Sequence, residues 1–283
     1  MRENFFTNIF ILFVIAFMMA GCGPLNKEGG YGGVVKRDDA AKSQEANLIP
    51  QLIDAYSQLL QSEEDDEVNG DEQKNLQNEK EKTELIALIK EKVKREIDVL
   101  EEYSNKIEDN EQYGMKWGVF KFLIEDNNKR NIQSVENTLA RKQLYASLEW
   151  SEDRLRKFGT IMNEVEKCDR VVATTILETG MNFVQAKFEN AIISIYDKGQ
   201  NLNNLILGKL RDIKKNLDRI DNFRTQWISF IDKIIAEYDS NTGDIQKDSQ
   251  ALVNRVNSEY KEIFENEISE IKKASGDIQT ILK

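Results

Sequence analysis

The chain has 283 residues, with 50 acidic against 39 basic, a net charge of −11 and no histidine. So acidic a chain lacks the basic footprint of a nucleic-acid binder, and its charge argues against electrostatic docking on anionic lipid. The missing imidazoles remove the commonest general base, the Ser–His and Cys–His nucleophile pairs and most zinc sites.

Between Met1 and Gly21 the only charges are Arg2 and Glu3, and Ile9 to Ala20 is an unbroken apolar run. That length suits the core of a signal peptide and is short for a membrane span. Small side chains at Ala20 and Gly21 let an extended backbone enter a peptidase groove, and Cys22 directly after them offers a thiol for acylation. Met19-Ala20-Gly21-Cys22 therefore resembles a bacterial lipobox. Residues 1–21 are expected to be a signal peptide, with Cys22 lipidated and anchored to a membrane. Two or three acyl chains hold such an anchor stably, at about 0.8 kcal/mol per buried CH₂. The second cysteine, Cys168, has no partner for an intrachain disulfide and is expected as a small, partly buried apolar residue.

Residues 22–47 are expected to be a flexible tether, because six of the 15 glycines fall between Gly21 and Gly33. A chain of that length spans roughly 25–30 Å, enough to lift a folded domain clear of lipid headgroups. The run from Gly29 to Gly33 has no strand before it and no helix opening after it, so it is not a phosphate loop.

Residues 48–283 are expected to form an all-α surface domain, a single helical bundle of about six to eight helices. No proline follows Pro50, and proline disrupts helix interiors at about 3 kcal/mol. Apolar residues recur at helical spacing in three stripes: Ile86 to Ile107, Leu202 to Tyr238 and Leu252 to Ile281. Helices are expected at 48–61, 76–111, 115–126, 130–146, 151–167, 170–198, 201–239 and 244–282. Residues 63–72, with like charges packed around Asn69-Gly70, are expected to be a solvated loop. Gly114 and Gly118 interrupt an aromatic-rich segment from Tyr113 to Ile124. Ser151 can cap the helix that follows, with Glu152 and Asp153 at the positive end of its dipole. Asn241-Thr242-Gly243 suggests a turn, with Asp244 as the next cap.

The sequence offers little chemistry. Asp239 to Asp244 is the best oxygen-rich loop, but the sixth position of a calcium loop should be Gly and the twelfth Glu; here they are Asp244 and Gln250. No metal or cofactor is expected. Carboxylates are numerous enough to pair by chance, and none stands out for acid–base work. Trp117, Trp150, Trp227, Phe120 and Phe122 sit in apolar contexts and are expected mainly in the core, with any exposed member free to anchor a partner.

The segment Arg141-Lys142-Gln143-Leu144-Tyr145-Ala146-Ser147-Leu148-Glu149-Trp150, followed by Leu155, Phe158 and Ile161, resembles a known family. This is the paralogous outer-surface lipoprotein family of Borrelia that includes the complement-regulator-acquiring surface protein. Phe188-Glu189-Asn190-Ala191-Ile192-Ile193-Ser194-Ile195-Tyr196 is a second similar stretch. The likeness is good over about 120–283 and weak over 76–120. It implies a helical bundle displayed on the spirochete outer membrane, facing outward. Some members bind complement regulators or components, and others contact tick tissue. No ligand-binding residues carry over. In dimeric members the last helix contributes to the interface; here the stripe Ile263 to Ile281 is expected to pack on its own bundle, in a monomer.

The expected function is thus binding of a host or tick-vector protein, either a complement component or regulator or a tick gut protein, without catalysis. The alternative is a structural envelope lipoprotein with no external ligand.

Overall fold

The computed structural model describes residues 70–125 and 128–283. Cys22, the tether at 22–47, the expected helix at 48–61 and the acidic run Glu63–Glu67 lie outside these residues.

Helix α1 (Gly70–Asn105) begins earlier than the expected residue 76, taking in the last residues of the loop expected over 63–72, and ends before the expected 111. Its stripe buries Leu85, Ile89 and Val93, while Ile107, beyond the helix end, is 92% exposed. Seven further α-helices follow among the described residues: α2 (Thr138–Ser147), α3 (Glu152–Cys168), α4 (Arg170–Glu178), α5 (Ala186–Asp197), α6 (Leu207–Asp239), α7 (Ser249–Phe264) and α8 (Glu267–Ile281). No named strand occurs among these residues; one isolated bridge joins Ile124 to Asn131. The fold is all-α, as the stripes require.

The expected helix at 115–126 does not form. Short 3₁₀ turns stand at Gln112–Gly114 and Val119–Lys121, because Gly114 has φ +86° and Gly118 lies far from helical angles at φ −105°, ψ −124°. The helix expected from 130 starts only at Thr138. Before it, the Asn137 amide donates to the carbonyls of Arg130 (3.0 Å) and Asn131 (2.9 Å) and holds 130–137 as a loop. The helix expected over 170–198 carries a π segment, Thr179–Gln185, between α4 and α5. There a side chain on Gly180 would meet Trp227 and Leu144 within 3 Å, so the backbone approaches the core as only glycine allows. The helix expected from 201 begins at Leu207, because Ile206 is extended at ψ 153°. Asp248, rather than Asp244, caps α7, accepting from Gln250 N (2.9 Å) and Ala251 N (3.1 Å). Asp244 sits in the preceding turn at φ 57°. Ser151 does cap α3, accepting from Arg154 N.

Two apolar clusters run through the bundle. One gathers α1, α5, the first half of α6 and α8, around Ile89, Ile192, Ile213 and Ile278. The other gathers the 106–137 loop, α2, α3, the second half of α6 and α7, around Tyr145, Phe158, Trp227 and Phe264. Helix α6 belongs to both, and α8 buries Ile271 and Ile278 within this same chain. Both stripes of the C-terminal third are therefore occupied internally.

Candidate interaction surface

The loop between α1 and α2 is the most irregular part of the described chain, and three side chains fix it. Arg141, from α2, is buried, with only 2% of its side chain exposed. Its guanidinium holds Glu108 in a bidentate pair (2.8 and 2.5 Å) and donates to the carbonyls of Ile132 and Ser134 (both 2.6 Å). A planar fork of this kind satisfies several loop acceptors at once. Tyr145, one turn on, donates its hydroxyl to Glu108 at 3.1 Å. Burial, reinforced by the Glu108 charge, pushes the Tyr145 phenol far above its usual range, so it remains the donor.

Asn163, from α3, is the second clamp. Its Oδ1 accepts from Val119 N (2.9 Å) and its Nδ2 donates to the Gly114 carbonyl (2.9 Å). Gly118 makes this possible, since a Cβ there would stand 2.0 Å from Asn163 Oδ1. Asn137 is the third, through the bonds described above. The left-handed stretch Gln112, Tyr113 and Gly114 is steadied by Asp109, whose Oδ1 accepts from Glu111 N (2.8 Å) and Tyr113 N (3.3 Å).

The loop turns Tyr113, Met115, Val119, Phe120 and Leu123 inward to the core. It turns Trp117, Ile107, Ile124 and Val135 outward; Leu139 on α2 and Val171 on α4 are exposed too. Trp117 is 69% exposed, whereas Trp150 is 8% and Trp227 0% exposed. Core packing thus claims two of the three tryptophans and Phe120, and leaves Trp117 in solvent. Phe122 is half-buried under the Arg170 guanidinium, 3.9 Å from its ring centre.

Cys168 is exposed at the end of α3, contrary to the partly buried state expected for it. The helix ends there because Asp169 is extended and caps α4, which turns the last side chain of α3 outward. Cys22 lies outside the described residues. Among the described residues, no group of three or more Cys, Asp or Glu side chains is placed to hold a metal ion. A groove of about 370 Å³ between α6 and α8 is lined by Lys209, Asp212, Lys215, Arg219, Glu270 and Asp277, and Arg219 pairs with Glu270 across it at 2.8 Å. No described helix is long and apolar enough to cross a membrane.

A family profile for Borrelia Bbcrasp-1 domain containing proteins matches residues 102–283. Solved structures share the fold. A Borrelia spielmanii protein, BSA64, orthologous to BBA64 of B. burgdorferi, is 24% identical with a TM-score of 0.65, covering 72% of this chain and 99% of that one. The B. burgdorferi outer surface lipoprotein BBA64 is 22% identical with a TM-score of 0.61, covering 71% and 94%. The Lyme disease associated outer surface protein BBA65 of B. burgdorferi is 20% identical with a TM-score of 0.63, covering 70% and 100%. No curated protein is similar to the chain.

Proposed function

Since the chain belongs to the family of Borrelia Bbcrasp-1 domain containing proteins, whose solved relatives include outer surface lipoproteins, we propose that it is a lipid-anchored protein of the outer surface that binds a host or tick-vector protein. The observation that carries the binding reading is an exposed tryptophan, Trp117, on a loop clamped by Arg141 and Asn163. A pinned loop presents a large side chain at low entropic cost on association, and tryptophan is a favoured anchor at interface centres. Catalysis has no part in this reading: recognition by a shaped helical surface needs no acid, base or metal. Cys22 would carry the acyl chains, and the chain would act as a monomer.

Two ligands are proposed, a complement component or regulator from serum and a protein of the tick gut. The chain without its signal peptide, immobilised and exposed to serum and to tick gut extract, is expected to retain a specific protein from one of them. Retention of nothing from both would count against the reading and favour a structural envelope role. Changing Cys22 to Ala is expected to abolish acyl labelling and release the protein from membranes; persistence in the membrane fraction would refute the anchor.

A further inference from the structure

Deepening the reading above, on which it rests, we infer that the Trp117 surface receives an acidic protein segment: an apolar pocket or helix face flanked by Asp and Glu. The chain as a whole is acidic, with a net charge of −11. The stretch Tyr113 to Ile124 breaks that pattern, since it holds Lys116 and Lys121 and no acidic residue. Both ammonium groups lie over exposed or half-exposed rings, Lys116 5.3 Å from the Trp117 centroid and Lys121 5.8 Å from that of Phe122.

The carboxylates that face this stretch from neighbouring elements are already engaged. Glu164 pairs with Lys167 (2.5 Å), and Glu166 pairs with Arg170 (2.9 Å). Asp169 caps α4 at Val172 N (3.1 Å), and Asp109 binds Arg156 (2.9 Å) and the loop backbone. Lys116 reaches Glu111 only at 4.0 Å and donates to the Asn110 carbonyl at 2.9 Å. Exposed or half-exposed here are Trp117, Phe122 and Ile124 on the loop and Val171 on α4, with Lys116 over the Trp117 ring and Lys121 and Arg170 over that of Phe122.

Position agrees with this. The chain enters the described domain from its N-terminal side at Gly70, and the loop opens at the other end of α1. Thirty-six residues of helix put roughly 54 Å between the two ends. An exposed tryptophan beside Lys116 and Lys121, in a stretch without acidic residues, meets an acidic partner with complementary charge, while the acidic remainder of the chain repels that partner elsewhere. Electrostatics of this kind sets register and on-rate and is weakened by salt.

The test uses the chain without its signal peptide and two labelled helical peptides that share a Leu/Phe face, one flanked by Glu and one by Lys. With Trp150 and Trp227 buried, iodide quenching of intrinsic fluorescence reports on Trp117. The Glu peptide is expected to shield Trp117 from iodide, to bind about tenfold or more tighter than the Lys peptide, and to weaken as salt rises. Trp117→Ala is expected to abolish binding, and Lys121→Glu to weaken it by about tenfold with the helical spectrum unchanged. Equal shielding by the Lys peptide, or shielding by neither, would overturn the assignment. So would shielding by phosphatidylglycerol vesicles without shielding by the Glu peptide, which would make the surface lipid-facing. If a protein captured from serum or gut extract still binds the Trp117→Ala chain, binding as such stands and this surface does not.

Discussion

Gln143 donates its side-chain amide to Glu189 across 2.9 Å, and so joins the two segments by which the sequence resembles its family. Gln185, in the π segment, donates to the other oxygen of the same carboxylate, also at 2.9 Å. The residue keeps some exposure as a whole, yet burial pushes the Glu189 carboxyl above its ordinary value, against the two amide bonds that pull it down.

A carboxyl raised in the folded state favours folding most when it is protonated. Its contribution is fully present below the unfolded value near 4.5 and is lost as pH rises through the raised folded value. Glu189→Gln removes the buried charge and leaves an amide that can turn toward the unpartnered Gln185 Oε1. The variant is expected to unfold at a higher temperature than the native chain at pH 7, with the difference closing toward pH 4. A native chain more stable than the variant at pH 7 would reverse this assignment.

Arg141 and Glu108 form a second buried polar contact. Arg141→Ala strands a carboxylate and two loop carbonyls, and breaking a buried pair in this way costs about 3–5 kcal/mol. Thermal unfolding is expected to shift down by roughly 2–4 °C per kcal/mol. Hydrogen exchange should also quicken at the Ile132 amide, which bonds Leu123 O at 2.8 Å. Unchanged exchange in the loop would mean that Arg141 does not hold it.

Gly118→Ala is expected to cost about 1–3 kcal/mol in denaturant unfolding. Its methyl group would displace Asn163, which can move aside only by giving up both of its loop bonds. Asn163→Ala removes the same bonds, so the double variant should lose clearly less than the sum of the two. Strict additivity would show that the two residues are not coupled.

The bundle was largely legible because its helices bury periodic stripes. The cap at Ser151 and the turn at Asn241-Thr242-Gly243 follow from residue chemistry alone, and Asn241 (φ 50°) and Gly243 (φ 68°) do adopt left-handed angles. The loop was not legible. Its aromatic residues suggest a helical core segment, whereas its backbone is held by Arg141 and Asn163 from other helices. Only the two glycines hinted at irregularity. The exposure of Trp117 depends on those long-range clamps, so composition does not separate it from its two buried counterparts. The break between α7 and α8 was equally hidden, because Glu265 and Asn266 stay in the right-handed helical region.

Cys168 gives a simple check on the end of α3. In the native chain with Cys22 replaced by Ala, one thiol is expected to react with a disulfide reagent about as fast as in the unfolded chain. Strong native-state protection would place that thiol inside the bundle.

The most direct measurement sets the native chain and Trp117→Ala side by side on serum and on tick gut extract. The native chain is expected to retain a protein that the variant retains about tenfold less or not at all, with both giving the same helical circular dichroism. Equal retention by the two, or retention of nothing by the native chain, would contradict the account.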